Sequence, residues 1–302
     1  MPFNLKKACP NCKAESVKKY KRDILRLRNL NSETQTLSLP ATGSWLGAKT
    51  LFEKYKKIPL EKRRALSIAA IKALQAYGRE GADKKKWFDA MMSDVNSYKK
   101  KRSLQNKSET EKAKWLEGGL KTLKKASTEM KREIRRLLLE NTLKSLYAYS
   151  NYLILRFYSE VALRNTLADV EISSGKNHIS KKKGVFTLKL TQFKVSDKVG
   201  PVEIPLSRAL STVISKYVKY RKQFDLTHNF LLVNATGKKL SRKALGTILQ
   251  KLSKKYTGKA VGSRMVRVLK ATENKGVLDK AMKLSKEMLH KDLKQTASYA
   301  RK

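Results

Sequence analysis

The sequence predicts a mainly α protein with a small antiparallel sheet, an α+β domain preceded by a helical N-terminal domain. Three observations predict it. Apolar residues recur at three- and four-residue spacing between positions 45 and 163 and again from 209 onward, which is the helical period. Two-residue alternation is confined to positions 169–204, and alternation marks half-buried strands. The chain has 302 residues, 40% of them hydrophobic, enough for two ordinary cores.

Residues 1–44 are basic and then polar, with no sustained period; they read as a flexible basic arm. Within them Cys9 and Cys12 form a Cys-x-x-Cys. There is no other cysteine, and His178, His228 and His290 are far off in sequence, so half of a zinc site lacks its other half. The pair reads as a reduced, exposed turn; a zinc shared between two copies is the alternative.

Trp45 to Gly78 is expected to be helical, with Pro59 where a helix start tolerates it. Leu66, Ala69, Ala70, Ala73, Leu74 and Tyr77 form its apolar stripe. Asp83 to Leu104 is a second helix, with Trp87, Met91 and Val95 on one side. Ser108 and Glu111 make a capping box, opening a helix that carries Trp115, Leu116, Leu120 and Leu123. Residues 45–125 therefore read as a helical, basic DNA-binding domain. Thr128 to Leu163 has no Gly or Pro and reads as a long helix, broken near Glu140 to Thr142. Strands are expected at 169–173, at Val185 to Phe193 and at Val202 to Ile204, the last between Pro201 and Pro205 as at an edge. Helices follow at Ala209 to Phe224 and Leu240 to Tyr256. The next starts near Arg264 and breaks at Asn274 to Gly276. A helix from Leu278 to Leu289 and a short one carrying Tyr299 end the chain.

Charge narrows the function. There are 69 Lys and Arg against 25 Asp and Glu, a formal net of +44. Self-repulsion of that size calls for a polyanionic partner. Nucleic acid comes first, because neutralised phosphates release counterions; a membrane surface comes second. No run of eighteen apolar residues exists, so no bilayer-spanning segment is expected. The first residues lack the apolar run of a signal peptide. An intracellular, DNA-associated location is expected.

The last fifteen residues hold His290 and, nine positions on, Tyr299. They are preceded by Arg264-Met265-Val266-Arg267, by a strand pair with lysines at its turn, and by Leu163-Arg164-Asn165. That set suits phosphodiester cleavage without a metal or cofactor. A tyrosine is a nucleophile whose phenolate also leaves well. Arginines hold non-bridging phosphate oxygens through a planar fork. A lysine can protonate the departing oxygen.

The order of these elements resembles the tyrosine recombinases and integrases, which share a catalytic fold with type IB topoisomerases. The resemblance spans roughly residues 110–302, with a catalytic domain at 126–302, and is greatest to integrases of large DNA viruses and virophages. It implies that Arg164 is the first catalytic arginine, Lys194 the lysine of the sheet's second turn, Arg267 the second arginine, His290 the later histidine and Tyr299 the nucleophile. Arg156 competes with Arg164; Lys189 and Lys198 compete with Lys194; Lys270 and Arg264 compete with Arg267. One position departs: Arg264 stands where the family box begins with His. An arginine cannot act as a base but can hold phosphate. The resemblance further implies a 3′-phosphotyrosyl intermediate, a C-shaped clamp on double-stranded DNA and a homo-tetramer on paired sites. The alternatives are a type IB topoisomerase and a catalytically weakened DNA-binding protein of the same fold.

Overall fold

Apolar stripes at helical spacing collapse into two cores, one in each of the two units into which the chain divides, Met1–Asn106 and Lys107–Lys302. The computed structural model describes residues 3–30, 38–288 and 293. His290 and Tyr299 lie outside the described residues.

The N-terminal unit contains α1 (Leu5–Ala8), α2 (Ala14–Leu30), a 3-10 turn (Ser44–Gly47), α3 (Lys49–Lys56), α4 (Leu60–Ala76) and α5 (Ala82–Ser103). The stripe of α4 is buried at Leu66, Ala69, Ala70, Ala73 and Leu74. Small side chains there let neighbouring helices approach closely. Gly78 takes a left-handed φ of 72° just past α4, a conformation cheap only for glycine. Trp87 of α5 is fully buried, and its Nε1 donates to the Leu46 carbonyl at 2.8 Å.

Two expectations are corrected in this unit. The segment read as a flexible arm contains α2, a 17-residue helix with Ile24 and Leu27 buried in the core. Val17, Tyr20, Ile24 and Leu27 do keep helical spacing, but the cations between them dilute the stripe. The turn between α1 and α2 joins Cys9 and Cys12 in a disulfide, with Cα atoms 5.3 Å apart; it is not a reduced turn.

The C-terminal unit begins with α6 (Glu109–Lys112), α7 (Gly119–Leu137), a 3-10 turn (Leu138–Glu140) and α8 (Leu143–Tyr158). A further 3-10 turn (Asn165–Asp169) leads into β1 (Glu171–Ile172), β2 (Asn177–Lys182) and β3 (Val185–Leu190). The remaining elements are α9 (Ser196–Val199), β4 (Val202–Pro205), α10 (Arg208–Arg221), α11 (Arg242–Thr257), α12 (Ser263–Glu273) and α13 (Lys275–Glu287). The expected capping box is present at Ser108 and Glu111, yet the helix it opens is only one turn long. Chain 113–118 interrupts it, and α7 restarts at Gly119, whose φ is +55°. Leu116, Leu120 and Leu123 pack into the core of the C-terminal unit. The boundary therefore falls after Asn106 rather than after residue 125. The expected break in the long helix is real: Asn141 is left-handed at φ 48°, and Thr142 and Ser145 cap α8 reciprocally.

The sheet is mixed, not purely antiparallel. Its order is β1-β2-β3-β4, with β1 parallel to β2 and the other pairs antiparallel. In register, Ile179 faces Leu188, and Leu188 faces Ile204. β1 stays two residues long because chain 229–231 occupies part of its ladder, Ile172 N–H donating to the Asn229 carbonyl at 2.9 Å. The strand β2 was not expected. Its sequence, NHISKK, buries only Asn177 and Ile179 and ends in lysines.

Candidate phosphate-binding site in the C-terminal unit

Arg164 precedes the 3-10 turn that ends at Asp169, and its side chain is exposed. Three contacts fix that turn. The buried Tyr158 donates its hydroxyl to the Arg164 carbonyl at 2.8 Å. Asn165 Nδ2 donates to the Arg242 carbonyl at 2.9 Å. Asp169 pairs with Lys239 at 3.1 Å and with Arg242. The turn lies so close to α11 that a Cβ on Gly246 would sit 2.7 Å from Asn165 Nδ2.

Arg264 and Arg267 lie near the start of α12, whose first turn holds no acidic residue. Buried Met265, Val266 and Leu269 seat the helix on the core. This leaves Arg264 largely exposed and Arg267 half-buried. Arg264 pairs with Glu111 at 3.4 Å. The other Glu111 oxygen accepts from the Ser108 backbone N–H and hydroxyl, each at 3.0 Å. Arg267 Nε donates to the Ser263 carbonyl at 3.3 Å.

Electrostatics tie these residues into a cluster. Burial lowers the proton affinity of the Arg267 guanidinium, the charges of Arg164 and Arg264 lower it further, and Tyr158 acts the other way. Burial in turn raises the Tyr158 phenol, with Arg267 opposing. Three cations thus act on one another, and one of them, Arg267, is partly desolvated. A bound anion relieves that repulsion, and the positive end of the α12 dipole adds to the attraction. Guanidinium forks fit phosphate oxygens bidentately.

The competing residues are placed differently. Arg156 is 6% exposed and forms an ion pair with Glu160, its NH1 also donating to Ser159 Oγ at 3.1 Å. Lys189 pairs across strands with Glu203 at 3.0 Å. Lys194 and Lys198 are both exposed in the connection from β3 to β4, Lys198 within α9. Lys270 is exposed near the end of α12. The described residues thus place Arg164 and Arg264 within electrostatic reach of Arg267, and Lys194 stands on a separate connection. Of the supporting residues, Tyr158 and Arg242 were not singled out in the sequence, whereas Asn165 and Asp169 belong to the segment read with Arg164. Glu111 had a signal of its own, its capping box, which does not disclose the partner of its second oxygen.

No family model matches the sequence, and no curated protein matches it. Among solved structures the chain is similar to a crystal structure of XerA recombinase, at 12% identity and a TM-score of 0.40, covering 99% of this chain and 92% of that one. It is also similar to XerH site-specific recombinase bound to difH substrate in a pre-cleavage complex, at 12% identity and a TM-score of 0.39, covering 92% of this chain and 91% of that one. Among the described residues no helix is long and apolar enough to cross a membrane.

Proposed function

We propose that this protein is a tyrosine-type site-specific DNA recombinase or integrase that cleaves and rejoins strands without a metal. One observation carries the reading: Arg164, Arg264 and Arg267 converge around a half-buried guanidinium that has no carboxylate partner among the described residues. The net charge of +44 supports double-stranded DNA as the anion. The sequence supplies the remaining groups. The Tyr299 oxygen attacks the scissile phosphorus, a bond forms between them, and the bond from phosphorus to the 5′ oxygen breaks. The arginines hold the non-bridging oxygens as charge builds. His290 takes the phenol proton and Lys194 supplies a proton to the departing 5′ oxygen. The product is a 3′-phosphotyrosyl link that a second 5′ hydroxyl can reverse. A homo-tetramer on paired sites, acting in integration of a viral or mobile element, completes the reading.

The test is a nicked suicide substrate incubated with the full chain in EDTA. A covalent adduct with wild type and none with Tyr299→Phe is expected. Equal adduct with Tyr299→Phe removes the nucleophile assignment, and a requirement for divalent metal removes the metal-free step. A second reading draws on Arg264, which stands where a base is usual. A DNA-binding protein of weakened activity would bind DNA in a strongly salt-dependent way and give no adduct with any sequence.

A further inference from the structure

The N-terminal unit contains a cavity of about 690 Å³ between α3, α4 and α5. It falls in the range of about 300–1,000 Å³ that small-molecule sites occupy. Besides Asp89, which also lines it, its wall has three kinds of chemistry. The first is a flat apolar face. Phe52 is half-buried and pinned edge-on by Trp87, ring centroids 5.2 Å apart. The second is positive charge. Lys86 Nζ lies 4.3 Å and Lys56 Nζ 5.2 Å from the Phe52 ring centroid, and Lys85 lines the same space. Neither Lys85 nor Lys86 forms an ion pair among the described residues.

The third is a fixed polar corner. Arg63 NH2 pairs with buried Asp94 at 2.8 Å, and NH1 donates to the Lys56 carbonyl at 3.0 Å. The second Asp94 oxygen accepts from the Tyr55 hydroxyl. Asp94 is thereby neutralised and held. Arg63 Nε is shielded from solvent and has no acceptor.

A π-face and a cluster of ammonium groups define a complementary ligand. It is planar and aromatic and bears an anion. From this we infer that the cavity binds a nucleotide, its base stacked on Phe52 and its phosphate held by Lys56, Lys85 and Lys86. Stacking on an aromatic beside cations is a recognised way of holding unpaired bases. The nucleotide has two sources: a free mononucleotide, or an unpaired base of bound DNA. This site is separate from the arginine cluster, and strand cleavage plays no part in its occupancy.

The full chain is titrated with deoxyadenosine monophosphate, with inorganic phosphate as control. In a parallel arm it is mixed with a duplex carrying one unpaired 2-aminopurine, and with the same duplex fully paired. The mononucleotide is expected to bind roughly ten-fold tighter than phosphate. Phe52→Leu is expected to weaken it by roughly ten-fold, and Lys86→Gln by a few-fold. Binding of the mononucleotide without preference for the unpaired duplex identifies the free nucleotide as occupant. Preference for the unpaired duplex, lost in Phe52→Leu, identifies the DNA base. The inference is overturned if the mononucleotide binds no tighter than phosphate and the unpaired duplex no tighter than the paired one. It is also overturned if both variants bind as wild type does. Should Phe52→Leu melt early, Lys86→Gln, at the cavity rim, decides alone.

Discussion

Arg63 in the N-terminal unit and Arg267 in the C-terminal unit are both partly buried, and the two regions treat that charge in opposite ways. Arg63 faces Asp94, which a tyrosine hydroxyl also holds. Arg267 has one backbone carbonyl and two more arginines nearby. Within the C-terminal unit Arg156 repeats the Arg63 solution, paired with Glu160. A buried charge without a partner is costly, so neutralisation is the ordinary outcome. Where the chain withholds a carboxylate and adds like charges instead, the proposed phosphate ligand would supply the counter-ion. The contrast separates arginines that hold the fold from arginines proposed to take phosphate.

The largest expected effect lies on the neutralised side. Glu160→Ala leaves Arg156 buried and unpaired, and also removes the acceptor of Ser207 Oγ at 2.6 Å. A loss of about 3–5 kcal/mol in denaturant unfolding is expected; a loss below ~1 kcal/mol would erase the distinction. Arg267→Ala should do the reverse. Unfolding stability stays level or rises slightly as repulsion is relieved, and strand cleavage falls by roughly 10²–10³-fold, as when a transition-state donor is removed. A cleavage rate equal to wild type in single-turnover assays would make Arg267 merely another surface cation.

Gly246→Ala tests positioning. The added methyl would meet Asn165 Nδ2 at 2.7 Å and shift the turn that carries Arg164. The expected cost is about 1 kcal/mol in stability, with a several-fold drop in phosphate or DNA affinity. An unchanged affinity would show that Arg164 acts independently of the turn's exact seat. The smallest effect concerns His228. Its Nε2 donates to the Gly237 carbonyl at 3.0 Å and its Nδ1 accepts the Phe230 N–H at 3.2 Å, which fixes a neutral tautomer. Burial lowers its proton affinity, and the charges of Arg221 and Lys239 lower it further, outweighing the Gly237 bond. Its folded value is therefore below the unfolded value of about 6.5. The stabilisation is complete above that pH and is lost as pH falls through it toward the folded value. Urea midpoints of wild type and His228→Gln measured on either side of about pH 6.5 check this; wild type should lose more on acidification.

Much of the helical framework was legible in the sequence because apolar period and caps act locally. Ser108, Thr142 and the α4 stripe show this. The strand β2 escaped because it lies between two strands, so its pairing comes from neighbours while its own residues include exposed lysines. The helix α2 escaped because four buried or half-buried positions among many cations make a thin stripe. In the candidate site, the arginines are proposed from their order along the chain. The contacts that support them could not be read there, since Asn165 with Arg242 and Arg264 with Glu111 lie 77 and 153 positions apart.

Helix α12 is held by acids at both ends. Glu111 grips Arg264 at its start, and Glu273 in its last turn accepts the Leu120 N–H at 2.8 Å, capping α7. The first contact is a largely exposed ion pair and the second a part-buried hydrogen bond. Dissolved salt screens the first far more than the second. As ionic strength rises, the Arg264 side chain is released from Glu111 first, while α12 itself stays seated by Met265, Val266 and Leu269 and tied through Glu273. A polyanion would compete with Glu111 for the same side chain.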